Sequence, residues 1–241
     1  MKKVVIAVDS FKGCLSSSDI AKAVAEGIHH VIPGCEVIKV PIADGGEGTV
    51  EALTQATHGQ VITIPVHNPF MQPIQASYGI TGDGQTAVIE MSAASGLDLI
   101  PRKEGNVMHT TTYGTGELIA DAVDRGCRNF IIGVGGSATN DAGVGMMQAL
   151  GVRFTDDNGN EVEKGGKVLS AICHIDTRSQ LPELSACTFH IATDVTNPFF
   201  GPQGAAHIFG PQKGGNEMQV EALDKGMKHL AGLILETTGR D

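Results

Sequence analysis

Several kinds of residue are scarce in this chain of 241 residues, and each scarcity excludes a class of function. There is no Trp and there are only two Tyr, too few for the aromatic platforms on which single-stranded nucleic acids stack. Charged residues make up 18% of the chain, and the 27 acidic and 17 basic side chains leave a formal net charge of −10. Because a surface of that sign repels phosphate backbones and anionic membranes, we expect neither nucleic acid nor a membrane as a partner.

Cysteine pairs and long apolar runs are also missing. The five cysteines are odd in number and form no C-x-x-C pair, which is typical of reduced thiols rather than of a disulfide framework or a zinc site. The first apolar run, Val4–Val8, ends at Asp9 and is too short for a signal peptide. No run approaches transmembrane length. These absences predict a cytoplasmic protein.

Glycine, by contrast, is abundant. The chain contains 32 glycines, well above the ordinary usage of about 7%, and they cluster where apolar runs end. Glycine at such places lets the backbone approach a ligand closely. With hydrophobic residues at 41%, the chain also has ample material for a buried core.

The first forty residues follow the order strand, loop, helix, strand. Val4–Val8 is a run typical of a strand that is buried on both faces. Ser16 and Asp19 predict the start of a helix that ends before Pro33, and residues 35–40 predict a second strand. This order is typical of a doubly wound α/β layer, in which ligands bind at the carboxyl ends of the strands.

From about Gln60 the pattern changes to short apolar segments separated by turn signals, which predicts a more antiparallel, strand-rich part. We therefore divide the chain into two α/β parts, residues 1–65 and residues 66–241. Further predicted elements are a helix near 115–124, a strand over 130–134, a helix through Met147 and Leu150, a strand over 188–193, and a last helix marked by Leu223, Met227, Leu230 and Ile234.

Polar clusters follow the first two predicted strands. The first loop carries Ser10 and Lys12, and a lysine there can neutralise a carboxylate or a phosphate, although a solvated loop lysine is the simpler interpretation. The second cluster places Asp44 and Glu47 among glycines, where carboxylates can hold Mg²⁺ or orient a substrate hydroxyl. Asp44 could instead cap the next helix.

Two further clusters also follow strand patterns. Glu90 precedes a run of small residues that includes Ser92; this run suggests the wall of a crowded site, and a tight turn into a helix is the simpler interpretation. Asp194 ends a predicted strand, a usual place for the carboxylate that accepts a hydroxyl proton during phosphoryl transfer. Lys213 stands among glycines and can meet a phosphate oxygen, although Gly and Pro also shape ordinary surface turns.

The richest cluster is Gly133–Gly143, in which a buried strand opens into glycines and hydroxyl side chains before a helix. Backbone N–H groups that converge at a helix N-terminus can hold a phosphate or a carboxylate. The cluster is not a P-loop, and its glycine spacing does not fit a dinucleotide-binding G-x-G-x-x-G. The candidate phosphate-binding residues are Gly135, Gly136, Ser137, Thr139, Asn140 and Asp141.

Taken together, these clusters resemble the bacterial (type-1) glycerate kinase family. The segments that carry the resemblance are AVDSFKGCLSS at 7–17, PIADGGEGT at 41–49, IEMSAASGL at 89–97, TTYGTGEL at 111–118, IGVGGSATNDAGVGM at 132–146, ATDVTNP at 192–198 and FGPQKG at 209–214. They occur in the family's order along the whole chain.

The resemblance implies an ATP-dependent kinase that uses Mg²⁺ and phosphorylates D-glycerate, with a homodimer as one candidate assembly. It also implies two different α/β domains, a flavodoxin-like parallel layer and an inserted restriction-endonuclease-like domain. Family members continue past residue 241, where we expect the remainder of the first domain and a further glycine- and acid-containing loop.

For that activity we assign roles as hypotheses. The residues assigned are Asp194, Asp44 and Lys12 for catalysis; Ser10, Lys12, Asp44, Glu47 and Ser92 for the substrate; Gly135, Gly136, Ser137, Thr139, Asn140, Asp141 and Lys213 for nucleotide phosphates; and Asp141 and Asp194 for the metal. Asp194 is the expected base, although Asp44, Asp141 and Asp194 could exchange roles.

Three other functions stay open. The chain could be a kinase or phosphatase of another small hydroxy acid or sugar acid, or a metabolite sensor that binds without turnover. A Rossmann oxidoreductase comes last, because the glycine spacing is wrong for a dinucleotide.

Overall fold

A computed structural model describes residues 3–11, 14–43, 46–101 and 107–239. In these residues the strands are β1 (Lys3–Val8), β2 (Glu36–Pro41), β3 (Gln60–His67), β4 (Pro73–Ile80), β5 (Thr86–Glu90), β6 (Asn129–Gly133), β7 (Arg153–Thr155), β8 (His174–Asp176) and β9 (Thr188–Ala192). The helices are α1 (Ser17–Val31), α2 (Thr49–Thr57), α3 (Ser92–Ser95), α4 (Tyr113–Asp124), α5 (Val144–Ala149), α6 (Ala205–Phe209) and α7 (Glu217–Thr238). Short 3-10 turns cover Leu97–Leu99, Gly166–Ala171, Pro182–Ala186 and Pro211–Lys213.

The first layer consists of β1 and β2, which pair in parallel, and of α1. Ser16 caps α1 by accepting a hydrogen bond from the Asp19 N–H, as predicted. The prediction that β1 is buried on both faces is wrong: Ile6 packs against α1, whereas the neighbouring Val5 is 58% exposed. Among the described residues β1 pairs only with β2, and α1 covers one face of the pair.

The main sheet has the order β3-β4-β5-β6-β9. Pairing is antiparallel from β3 to β5 and parallel from β5 through β6 to β9, so the predicted change to antiparallel pairing after residue 60 is confirmed. All of β3 pairs with β4 along residues 60–67, and the proposed boundary at residue 65 therefore falls inside a strand. The molecule is a mixed α/β fold with parallel layers, and the two-domain division stays a prediction.

The main core lies between this sheet and α4. Leu118, Ile119 and Ala122 of α4 are almost completely buried together with Phe130 of β6. Tyr78 is fully buried in the same core and donates its hydroxyl hydrogen to Asp121 Oδ2 at 2.6 Å. Such a partner is what a buried phenol needs in order to avoid a desolvation penalty.

A second core forms between α7 and the turn at Gly166–Ala171. The predicted apolar face of α7 supplies Leu223, Met227 and Leu230, all of which are buried, while Ile234 is 36% exposed. Asn216 and Gln219 complete a capping box at the start of α7. None of the helices in the described ranges combines the length and apolar character that crossing a bilayer requires.

Candidate active site

The carboxyl ends of three parallel strands meet at one edge of the main sheet. Glu90, Gly133 and Ala192 are successive register partners across β5, β6 and β9. The loops that leave these strands are therefore neighbours, at the sheet edge where α/β proteins commonly bind ligands. Asp194 follows Ala192 by two residues.

The loop after β5 and the glycine-rich loop after β6 are joined by backbone hydrogen bonds. The N–H of Met91 donates to Gly133 O at 2.9 Å and that of Leu97 to Gly136 O at 2.9 Å. The interpretation of residues 90–97 as a tight turn into a helix is confirmed by α3. The turn nevertheless packs directly against residues 135–141, the predicted phosphate loop.

These loops enclose a cavity of about 1260 Å³. Gly136 has φ +70°, a conformation that glycine adopts without strain. The predicted site residues that line the cavity are Glu47, Ser92, Gly135, Gly136, Ser137, Thr139, Asn140, Asp141, Asp194 and Lys213. The structure thus brings together residues that are spread over most of the chain.

A smaller cavity of about 300 Å³ adjoins the large one. Ser10 lines this second cavity, and Glu47 and Glu90 line both. The Ser10 Oγ atom is shielded from solvent and has no hydrogen-bond partner among the described residues. Because a buried hydroxyl group without a partner is unfavourable, this atom is available to a polar ligand.

Two predicted residues, Lys12 and Asp44, lie outside the described ranges. The alternative in which Asp44 caps the next helix therefore also concerns a residue outside those ranges.

Lys213 is a buried cation in the cavity wall. Its Nζ donates to Ser137 Oγ at 2.9 Å and to Thr139 O at 2.6 Å, and only 8% of the residue is exposed. Burial lowers the pKa of Lys213 from 10.5 to about 8, and the nearby Asp141 carboxylate opposes this change. The lysine therefore joins the 210–214 segment to the predicted phosphate loop and brings positive charge to it.

Asp141 is also buried, but its oxygens are already acceptors. Oδ2 accepts from the Thr111 hydroxyl, from the N–H and hydroxyl of Thr112, and from the Gly145 N–H at 2.8–3.2 Å. Oδ1 accepts from the Gly143 N–H at 3.2 Å. A metal ion would compete with these donors. Asp141 joins the loop before α4 to the start of α5.

Asp194 and Asn140 both line the cavity but differ in exposure. Asp194 is exposed in the cavity wall just after β9. Asn140 is buried, and its Nδ2 donates toward Met227 Sδ at 3.4 Å. Within the described ranges, no group of three or more His, Cys, Asp or Glu side chains is arranged to hold a metal ion.

Comparison with known proteins gives the family. The sequence model of the glycerate kinase family matches residues 4–241. The chain belongs to the glycerate kinase family. Glycerate 2-kinase of Escherichia coli (strain K12) is 49% identical over 96% of this chain, and glycerate kinase of Bacillus subtilis (strain 168) is 47% identical over 98%.

A crystal structure of a glycerate kinase 2 candidate from Salmonella typhimurium LT2 has the same fold. It matches all of this chain with a TM-score of 0.91 and 45% sequence identity, and the match covers 64% of that chain. The matches cover 61% and 62% of the E. coli and B. subtilis proteins. This glycerate kinase family chain therefore spans about three-fifths of the length of these relatives.

Sequence reasoning placed Glu90 in a possible site wall but assigned it no role. Its Oε1 accepts a hydrogen bond from the Val50 N–H at 2.8 Å. Burial raises the pKa of Glu90, while the amides of Val50, Gly48 and Thr49 lower it and the Glu47 charge raises it. An acidic residue at the end of a buried strand was the available signal, but its partner lies 40 residues away in the sequence.

Thr111 and Thr112 were missed as contributors for the same reason. Thr112 Oγ1 donates to Asp141 and accepts from the Met146 N–H at 2.9 Å, so it orders the start of α5 together with Asp141. These threonines belong to one of the segments that carry the family resemblance, yet only the folded chain shows what they contact.

Proposed function

We propose that this chain carries the catalytic cleft of an ATP-dependent kinase that phosphorylates D-glycerate. The observation that carries the proposal is a pair of adjoining cavities. The large one, at the sheet edge, contains the predicted phosphate loop and Lys213, and the small one contains the Ser10 hydroxyl group, which has no partner among the described residues. A phosphoryl transferase needs such an arrangement, because it must hold a nucleotide and a small acceptor side by side.

The large cavity is the proposed nucleotide site. Its volume of about 1260 Å³ is ample for a nucleotide, since ligand pockets commonly measure about 300–1,000 Å³. The Gly135–Gly136 backbone and the Ser137 hydroxyl would contact phosphate oxygens, and Lys213 behind them would balance part of the phosphate charge.

The small cavity is the proposed acceptor site. At about 300 Å³ it suits a three-carbon acid better than a nucleotide. Ser10 Oγ would hydrogen-bond the glycerate carboxylate, and Glu47, which lines both cavities, would orient its hydroxyl groups. Lys12 and Asp44 stay predicted members of this site, and so does Ser92, which lines the large cavity.

Asp194 is the proposed base. In the transfer, the acceptor hydroxyl oxygen forms a bond to the γ-phosphorus, the bond from that phosphorus to the bridging oxygen of ADP breaks, and the hydroxyl proton passes to the carboxylate. Exposure of Asp194 in the cavity wall supports this role. The name of the E. coli relative favours the 2-hydroxyl as the acceptor.

Mg²⁺ is the proposed cofactor. Of its two predicted ligands, Asp194 fits because it is exposed in the cavity, whereas Asp141 fits poorly because backbone and hydroxyl donors occupy its oxygens. Mg²⁺ commonly binds through one or two carboxylates and the substrate phosphates, so Asp194 together with ATP would hold it. When bound, the ion would neutralise charge on the transferring phosphoryl group.

The finer features of the architecture are proposals as well. We assign the layer of β1, β2 and α1 to a flavodoxin-like domain and the main sheet to an inserted restriction-endonuclease-like domain. A homodimer and a cytoplasmic location are the expected assembly and compartment.

The direct test is ADP release by the purified 241-residue chain with ATP, Mg²⁺ and a panel of hydroxy and sugar acids, with the E. coli relative as the positive control. We expect release that depends on D-glycerate. Faster turnover of another acid would replace glycerate as the substrate. Calorimetric binding of ATP and glycerate without ADP release, under conditions in which the control turns over, would support the sensor function instead.

A further inference from the structure

Glu90 stands at the junction of the two cavities and belongs to two structural contacts at once. Through the backbone it is tied to the phosphate loop: it pairs with Gly133 in the sheet, and the next N–H, that of Met91, donates to Gly133 O at 2.9 Å. Through its side chain it is tied to α2, because Oε1 accepts from the Val50 N–H at 2.8 Å.

In the described part of the chain, the helix that Glu90 contacts has no side-chain cap from its own N-cap position. Gly48 occupies the N-cap with φ +95° and has no side chain to accept from the first helical amides. Uncapped amides at a helix start need an acceptor from elsewhere. The carboxylate of Glu90, which arrives from the end of β5, supplies that acceptor for Val50 and lies near the amides of Gly48 and Thr49.

The segment held in this way carries Glu47, which, like Glu90, lines both cavities. Glu47 is exposed, so its own packing does little to fix its position. Loss of the Glu90 contact would let residues 46–50 move relative to the phosphate loop. An error of about 1 Å in the placement of reacting groups can reduce the rate about 100-fold.

We propose that Glu90 is a positioning residue for the acceptor: by holding the start of α2 against the end of β5, it fixes Glu47 and the acceptor cavity relative to the phosphate loop. The proposal rests on the proposed function. The competing explanation is that Glu90 is a cap that only stabilises the fold. Positioning predicts a loss for glycerate and not for ATP, whereas stabilisation alone predicts no such difference between the substrates.

The variants Glu90→Gln and Glu90→Ala test this, with Glu117→Gln as the matched control. Glu117 also accepts from a backbone N–H, that of His67, at 2.7 Å, but it lines neither cavity. Glu90→Gln keeps the shape and one acceptor oxygen, whereas Glu90→Ala removes both.

Hydrogen exchange at residues 46–50 is the readout that requires no turnover. We expect exchange of the Val50 amide to rise about fivefold in Glu90→Ala, the effect of losing a helix cap, with a smaller rise in Glu90→Gln and none in Glu117→Gln. Unchanged exchange at Val50 in both Glu90 variants would overturn the proposal.

Kinetics separate positioning from stability. For both Glu90 variants we expect kcat/KM for glycerate to fall by up to about 100-fold with KM for ATP within about twofold, whereas Glu117→Gln should lower Tm and leave both constants unchanged. Equal losses for ATP and glycerate would overturn the proposal. If the wild-type chain binds both ligands without turnover, the proposed kinase function fails. The positioning proposal is then tested by calorimetry: it predicts weaker glycerate binding and unchanged ATP binding in the Glu90 variants.

Discussion

Lys213 illustrates at the scale of a residue how the fold buries a charged side chain in the wall of a cavity. Its ammonium group is buried and donates to two oxygens of the phosphate loop, and burial lowers its pKa to about 8. A charged group in such surroundings is held at an energetic cost. A phosphate that binds beside it would offset part of that cost, which is the physical reason for the proposed nucleotide site.

Lys213 should make the free energy of unfolding depend on pH. Because the pKa in the folded chain lies below the unfolded value of 10.5, the unfolded chain holds more protons at this position between about pH 8 and 10.5. Stability should therefore rise with pH in that window, by up to about 3 kcal/mol. Urea denaturation of the wild type and of Lys213→Met at several pH values measures this.

The affinity for ATP should fall with pH where stability rises, because the neutral amine of Lys213 no longer attracts phosphate. ATP affinity should fall as pH rises through about 8, and calorimetry in buffers of different ionisation enthalpy should detect proton uptake on binding. Lys228→Met, at an exposed position on α7, serves as the control. A wild-type pH dependence identical to that of Lys213→Met would contradict this role.

Asp194→Asn tests the proposed base. The side chain is exposed, and substitutions at such positions usually change stability by less than about 0.5 kcal/mol. We expect Tm to stay unchanged while kcat falls by about 10²- to 10⁴-fold, the usual contribution of general acid–base catalysis. Steady-state kinetics and a melting curve on the same sample suffice, and near-normal turnover would remove Asp194 from this role.

The sequence predicted these residues unequally well. The location of Asp194 and of the glycine loop in the cavity wall could be predicted, because a strand end and the residues that follow it are adjacent in the chain. The role of Asp141 could not, because its donors Thr111 and Thr112 lie about 30 residues away. Glu90 is similar, since its acceptor function depends on an amide 40 residues earlier.

At the scale of an element, helix α7 shows close packing that the apolar pattern alone does not reveal. Leu223, Met227 and Leu230 are buried as predicted. A Cβ atom at Gly226 would lie 2.7 Å from Leu169 Cβ, whereas a Cβ at Gly232 would meet nothing within 4 Å. Gly226 thus lets the helix approach the turn at Gly166–Ala171, and Gly232 has no such function.

The two glycines should respond oppositely to the same substitution. Gly226→Ala should destabilise the chain by about 1–3 kcal/mol because it overpacks this contact. Gly232→Ala should stabilise it by about 0.5–1 kcal/mol, since alanine has the higher helix propensity. Urea denaturation of both variants gives the two values. Similar changes of the same sign would show that α7 does not pack here as described.

Strand β1 shows where pattern fails at this scale. A run of apolar residues predicts burial on both faces, but burial depends on what covers each face. Alternate residues of β1 face α1, and Val5 points away from it. By contrast, the alternation and turn signals after residue 60 predicted the antiparallel part correctly, because those signals are local.

At the scale of the whole molecule, widely separated loops meet at one sheet edge and enclose the large cavity, which the small cavity adjoins. Parallel pairing of β5, β6 and β9 produces this arrangement, since it places their carboxyl ends side by side. Sequence order alone indicated that ligands bind at strand ends. It did not indicate that Glu47 would line both cavities. That placement needs the folded positions of α2 and β5.

The most direct test of phosphoryl transfer in this cleft is ³¹P NMR of the chain with ATP, Mg²⁺ and D-glycerate. We expect the γ-phosphate signal of ATP to be replaced by signals of ADP and of a phosphomonoester, which proton coupling should split into a doublet if the 2-hydroxyl is the acceptor. Inorganic phosphate in place of the phosphomonoester, or an unchanged γ-phosphate signal in a sample that binds both ligands, would contradict the proposed kinase.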